Sequence, residues 1–306
     1  MKKLTKGDEH IRVKTKGNFH QTLAPMLFLL PNMIIFLLFI IIPLFQGLRM
    51  AFMDWGIFTV PEFIGLKNFG NLFKDDVFLI TIKNTIVYSF FTVVLLTVVS
   101  LCLALMLSRN SMKGERVFRA IFYIPSLLSM IAVGIAWRFI LGDEMGIINY
   151  VVRRLGGDGI PWLTNGNLAM MCVIVVSVWA SSGYYMIMFI SGLQAIPSDL
   201  YEAARIDGSS AWNTFWRITL PLLKSTVLVV LVLATIASFK AYELIVTMTK
   251  GGPGYATKFI VQQVYQVAFQ EDRMGYASAM SIILMIIIGI FTLVQFRIAG
   301  KDGQYD

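Results

Sequence analysis

The residues of this chain that could do covalent chemistry are few and poorly placed for it. Both histidines, His10 and His20, precede the first long apolar run, so none stands among the apolar segments as base, metal ligand or proton relay. Cys102 and Cys172 each fall in an apolar run, where cysteine packs as a small hydrophobe rather than forming a disulfide. The chain contains no GxSxG, HExxH or GxxxxGK[ST] pattern, so the residues of a serine hydrolase, a zinc protease or a nucleotide-binding loop are missing. Glu243 is the one acid inside an apolar segment. A proton- or sodium-coupled carrier places several such groups at mid-membrane, so coupling of that kind is poorly supplied. A secondary transporter of a small polar solute stays open as the alternative reading, and a membrane enzyme as a weaker one.

The chemistry that is present is hydrogen bonding and stacking. Asn84 and Tyr88, Ser126 and Ser129, Trp179, Ser181, Ser182, Tyr184 and Tyr185, and Ser238, Tyr242 and Glu243 all fall within apolar segments. Hydroxyl, amide and aromatic groups together suit a sugar, which offers hydroxyls to bond and a C–H face to stack. The same groups also serve as helix-to-helix hydrogen bonds and core packing, so each is a candidate for the solute path rather than an assignment.

The most informative stretch lies outside the apolar segments, over 196–212. Pro197 and Ser198 open a helix with Asp199 and Glu202 in its first turns, where the macrodipole favours acids, and Gly208 is placed to end it with a left-handed cap. Ser209 or Ser210 then caps a second short helix carrying Trp212, Phe215 and Trp216 on one stripe, before Leu220-Pro221 turns the chain. The expected product is a helix-turn-helix knob exposing Ala203 and Ala204 beside Glu202 and Arg205. Small residues let another protein approach closely while the charges set register. An ordinary solvated loop is the bland reading of the same residues.

The elements that must position these groups are membrane helices. The chain is 57% hydrophobic and 14% charged, far from the composition of a soluble domain, which makes lipid its solvent. Six segments reach the roughly 20 apolar residues that a spanning helix needs: 27–47, 84–107, 120–139, 168–191, 222–246 and 274–296. In the fifth, Lys240 and Glu243 stand one turn apart near an interface, where they can pair or snorkel. The expected fold class is an all-α membrane protein with six transmembrane helices, divided into a tail over 1–23 and one membrane domain over 24–306. The first apolar run is too long for a signal peptide and is read as an uncleaved anchor. The net charge of +8 comes without a basic, aromatic-studded soluble module, so nucleic acid is excluded as partner. Lys2, Lys3, Lys6, Arg12, Lys14 and Lys16 in the tail, with Arg109, Lys113, Arg116 and Arg119 in a tight loop, orient both termini to the cytoplasm. The stretch 66–82 is expected to lie flat on the outer interface, and Pro31, Pro43 and Pro125 to kink their helices.

Glu202-Ala203-Ala204, Asp207-Gly208 and Ile218-Thr219-Leu220-Pro221 together resemble the EAA loop of bacterial ATP-binding-cassette importer permeases. Phe63-Ile64-Gly65-Leu66-Lys67-Asn68-Phe69, Asn84-Thr85, Phe122-Tyr123-Ile124-Pro125-Ser126, Gly192-Leu193-Gln194-Ala195-Ile196-Pro197 and Thr249-Lys250-Gly251-Gly252-Pro253-Gly254 are similar to the maltose-type and glycerol-phosphate-type branch. Tyr242-Glu243 departs from the Phe-Asp often found there, keeping the acid one methylene longer. The resemblance implies a type I ABC importer permease fold, with Glu202, Ala203, Ala204, Asp207 and Gly208 in a cytoplasmic coupling loop over 192–221. It also implies a second related permease, two cytoplasmic ATPase subunits, an extracytoplasmic solute-binding protein and a sugar-like solute, in a bacterial cytoplasmic membrane. ATP and magnesium would bind the ATPase partner, this chain holding no cofactor of its own.

Overall fold

The computed structural model describes residues 19–108 and 114–300, with side-chain surroundings for 27–108 and 114–298. The basic residues expected in the tail up to Lys16, together with Arg109, Lys113 and Lys301, lie outside the described residues.

The chain divides into two compact units, Met1–Arg49 and Met50–Asp306. In the first, α1 (Phe19–Phe36) runs through a π-helical turn (Leu37–Ile41) into α2 (Ile42–Met50), which crosses the unit boundary by one residue. Proline lacks an N–H and its ring crowds the carbonyl one turn back. Just ahead of Pro43, the wider turn, closed by the Ile42 N–H donating to the Leu37 carbonyl, takes up that mismatch.

The second unit begins with a short hairpin, β1 (Met53–Asp54) against β2 (Glu62–Phe63), with Met53 opposite Phe63. α3 (Lys67–Leu72) and α4 (Asp76–Leu107) follow. Asn68, buried, donates to the carbonyls of Ala51 at 2.9 Å and Met53 at 3.0 Å, and Asp75 accepts from the Val77 and Phe78 N–H groups to start α4. That cap splits the stretch expected to lie flat over 66–82, and Leu72 and Phe78 on either side of it are fully buried.

α5 (Glu115–Leu127) and α6 (Met130–Ile140) share the third apolar segment but are bent by 96°. The single helix expected over 120–139 is therefore corrected: Leu128 and Ser129 are extended, starting three residues beyond Pro125, which lies in the last turn of α5 and withholds an N–H there. α7 (Ile147–Arg154) and the long α8 (Gly166–Gln194) come next. α9 (Ser198–Ile206), α10 (Ala211–Thr214), a π-helical turn (Phe215–Thr219) and α11 (Leu220–Leu222) lead to α12 (Lys224–Phe239). A break at 240–242 precedes α13 (Glu243–Met248), so the segment expected over 222–246 is also divided, and α14 (Ile260–Phe269) and α15 (Met274–Gly300) close the chain.

Among the described residues, four helical segments, Leu27–Met50, Asp76–Leu107, Gly166–Gln194 and Met274–Ile298, are long and apolar enough to cross a membrane. Two bent pairs, α5 with α6 and the α10–α11 segment with α12, raise that number to 6 if each pair is one span. Within the second unit α8 is the central element, with Val173, Met186 and Phe189 fully buried. Glycine lets neighbouring backbones close on it. A Cβ at Gly183 would collide with the Phe122 carbonyl of α5, and one at Gly192 with Thr226 of α12. A second buried cluster gathers Leu72, Phe78, Ile260 and Met280 from α3, α4, α14 and α15.

Candidate functional site

The knob over 197–222 has the local architecture its residues dictate. Pro197 stands at the N-cap of α9, and Gly208 follows the helix at φ +70, the left-handed position that glycine takes without steric cost. Ser210 caps α10 by accepting from the Asn213 N–H, and Ser209 Oγ receives both Asn213 Nδ2 at 3.3 Å and Thr214 Oγ1 at 3.2 Å. The Tyr201 and Thr219 hydroxyls are 3.2 Å apart and hydrogen-bonded, which fastens α9 to the π-helical turn. Glu202, Ala203, Arg205, Asp207 and Gly208 are exposed, as a docking face needs. Ala204 is not: at 7% exposure it packs inward, so the expectation that it lies on the contact face is corrected. Ile206, 86% exposed, takes a place on that face that helical periodicity did not assign to it.

The candidate path residues separate into two groups. Tyr88, Ser181, Tyr185, Ser238, Tyr242 and Glu243 come together around a cavity of about 220 Å³ between α4, α8, α12 and α13. The sequence reading missed Thr92 and Ser177 in its wall and Met130 at its edge, and Lys240 joins them from the break after α12. Tyr88 Oη donates to Ser177 Oγ at 2.8 Å, and its ring lies 4.6 Å from that of Phe259. Thr92 Oγ1 is buried in the cavity wall, within electrostatic reach of the Tyr88 hydroxyl. Ser238 is buried and donates to the Thr235 carbonyl at 2.9 Å. No ion pair joins Lys240 to Glu243, so among the described residues both charges remain available to the cavity.

The other candidates do not line this cavity. Asn84 Nδ2 donates to the Tyr255 carbonyl at 2.6 Å and the Lys258 carbonyl at 3.3 Å, fastening α4 to the loop before α14. Ser126 closes on the Tyr123 carbonyl, Ser129 begins α6, and Ser182 contacts the Trp179 carbonyl at 3.4 Å. Trp179 meets Trp137 edge to face, with ring centres 5.6 Å apart, and Tyr184 meets Tyr185 in the same way at 5.1 Å.

The loop between α13 and α14 is tightly tied. Thr257 Oγ1 lies 2.7 Å from both Thr249 Oγ1 and the Gly252 carbonyl, and Gln262 Nε2 donates to the Lys250 carbonyl. Lys258 is buried at 6% exposure, with Nζ donating to Gln266 Oε1 at 2.6 Å. Burial lowers its affinity for a proton below that of ordinary lysine, with Glu271 and Asp75 opposing the change.

Apolar helices around a mostly apolar cavity studded with hydroxyls, together with an exposed helical knob, define a membrane-embedded helical subunit rather than a soluble domain. The family described as binding-protein-dependent transport system inner membrane component matches residues 101–301, and the chain belongs to that family. It is similar to the probable ABC transporter permease protein YurN of Bacillus subtilis (strain 168), 36% identical over 287 residues covering 92% of this chain and 98% of the relative. The sn-glycerol-3-phosphate transport system permease protein UgpA of Agrobacterium fabrum is 34% identical over 294 residues, covering 94% and 98%. The probable starch degradation products transport system permease protein AmyD of Thermoanaerobacterium thermosulfurigenes is 31% identical, covering 90% and 93%. Among solved structures, a chain of the bacterial alginate ABC transporter in complex with alginate pentasaccharide-bound periplasmic protein superposes with TM-score 0.83 at 26% identity, covering 93% of this chain and 96% of that one. The chain is therefore an inner membrane permease subunit with the helical fold of ABC importers, and not an enzyme.

Proposed function

We propose that this chain pairs with a second, related permease to form the pathway of a sugar or oligosaccharide, delivered by an extracytoplasmic solute-binding protein and driven by ATP on two separate cytoplasmic subunits. The observation that carries the reading is the cavity lined by Tyr88, Thr92, Ser177, Ser181, Tyr185 and Ser238, with one lysine and one acid at its mouth. Hydroxyls and aromatic faces without an excess of either charge match a neutral polyhydroxylated solute. The printed functions of two relatives, for starch degradation products and arabinooligosaccharides, point the same way.

In this reading α5 with α6 makes one span and the segment 222–246, which holds α12 and α13, makes another, giving six, with a tail over 1–23, a permease domain over 24–306, both termini in the cytoplasm and multi-pass insertion in a bacterial cytoplasmic membrane. Glu202, Ala203, Asp207 and Gly208 form the surface that meets the ATPase, with Ala204 anchoring the helix from beneath. ATP and magnesium bind the ATPase subunits, and this chain holds no cofactor. The test is reconstitution of the full transporter, with the solute-binding protein encoded beside it, in proteoliposomes containing ATP. Uptake of a neutral sugar that requires both lumenal ATP and the binding protein is expected. Uptake driven by an ion gradient without ATP would refute the proposal.

A further inference from the structure

The aromatic face of the knob calls for a partner that docking to the ATPase does not explain. Trp212 is 72% exposed and Trp216 50% exposed, with ring centres 5.6 Å apart and Phe215 packed against both. Two indoles left in water at this density are costly, since each removes a large apolar area from solvent only when something covers it.

Three observations identify the cover. The Ala211–Leu222 segment is bent by 67° from α12. If α12 stands close to the membrane normal, the aromatic segment lies close to the membrane plane. The exposed apolar surface also continues along the chain, through Leu222 at 50% exposure to Val229 at 46% and Leu233 at 38% on α12. Finally, exposed Arg217 lies beside Trp216, as in interfacial helices that set aromatic groups at headgroup level and a cation toward anionic lipid.

We propose that Trp212 and Trp216 seat the knob in the headgroup region of the inner leaflet, and so fix the height and tilt at which α9 is presented. The coupling to α9 is already built: Tyr201 is bonded to Thr219, Ser209 binds Asn213 and Thr214, and the Ser209 N–H donates to the Ala204 carbonyl at 2.9 Å. The aromatic patch and the docking helix therefore move together. Both tryptophans are positioning residues for ATPase docking.

This inference rests on the cytoplasmic placement of the knob, and the test separates the two. In a Cys102→Ala, Cys172→Ala background whose uptake is verified, bimane is attached at Trp212→Cys or at Ile206→Cys. The assembled transporter is studied in right-side-out vesicles, with and without its ATPase subunits, using phosphatidylcholine that bears a nitroxide near the carbonyl end of an acyl chain. The expected result is several-fold stronger lipid quenching at position 212 than at 206, unchanged by removing the ATPase, whereas the 206 probe is shielded only when the ATPase is present. A 212 probe that lipid nitroxide leaves bright and that only the ATPase shields would overturn the lipid anchor and make the patch a protein contact. Quenching of the 206 probe by iodide added outside sealed vesicles would instead overturn the topology, and the anchor with it. Native tryptophan emission gives a second measurement free of the cysteine substitutions: Trp212→Phe combined with Trp216→Phe is expected to remove a fraction quenched by brominated lipid. If that fraction is unchanged, the anchor is refuted.

Discussion

The knob and the cavity are built by opposite means. Every bond that shapes the knob joins near neighbours: the Ser210 cap reaches three residues on, the Ser209 contacts four and five, and the Tyr201–Thr219 bond 18. The bond across the cavity wall, from Tyr88 to Ser177, spans 89 residues, and Asn84 reaches 171 residues to the Tyr255 carbonyl. A surface that must meet a partner in one pose is thus stabilised locally and survives rearrangement of the bundle. The cavity is framed instead by side chains from helices far apart in sequence. Substitutions in the knob should uncouple transport from intact protein, and substitutions in the wall should act through helix packing or solute choice.

The largest effect is expected behind the cavity, where α8 packs against α5 with no spare room. Gly183→Val places a side chain against the Phe122 carbonyl, a backbone group that cannot swing aside, and so separates α8 from α5. Assembled protein should fall to background by size-exclusion chromatography of detergent extracts. A normal yield would mean that the α5–α8 contact is more compliant than its geometry indicates.

Next come Glu202→Lys and Gly208→Val, which probe the other side of the comparison. Both positions are exposed, and a Cβ at Gly208 meets nothing, so the cost of valine is the left-handed backbone alone, about 1 kcal/mol or more. The permease should insert and fold, while ATP-dependent uptake is lost, either because the ATPase is released or because hydrolysis proceeds without transport. Retention of the ATPase and uptake at the unmodified rate by both variants would remove the knob from coupling.

How much of this was legible in the sequence follows the same division. The α9 cap, the positive φ at Gly208 and the Ser210 cap were readable because capping is decided within a few residues. Ala204 was misplaced because its inward contact depends on how the whole knob is seated, which no local pattern reports. Six of the twelve path candidates reach the cavity, and Thr92 and Ser177 were missed because hydroxyl residues in apolar helices look alike until the helices are packed. Asn84 is not in the cavity wall, and its bond to the Tyr255 carbonyl could not be read because that partner is remote in sequence. The bends at 128–129 and 223 and the break at 240–242 were hidden because an apolar run has the same composition whether or not it breaks.

A smaller effect tests whether the cross-cavity bond holds the wall. Tyr88→Phe and Ser177→Ala each remove one half of the bond at 2.8 Å, and each should lower thermal stability in detergent by about 1 kcal/mol. The double variant should cost less than the sum of the two singles, because the second change removes a group already left unpaired. Full additivity would show that the bond contributes nothing and that the wall is held by packing, Tyr88 on Phe259 above all.

The subtlest prediction concerns Glu243, whose charge lies at the cavity mouth without Lys240 as its ion-pair partner. Glutamine keeps the size and one acceptor oxygen but replaces a carboxylate that only accepts by an amide that also donates. Exposed at the start of α13, Glu243 contributes little to folding, so Glu243→Gln should leave assembly unchanged. Its effect should appear in solute choice: uptake of neutral sugars shifts modestly, whereas discrimination against anionic sugars weakens because the repelling charge is gone. Competition between a neutral and an acidic oligosaccharide, measured per assembled complex, reads this directly. Reduced protein with unchanged competition would make Glu243 a structural residue, and the solute-selecting part of the wall would then lie deeper, at Thr92 and Ser177.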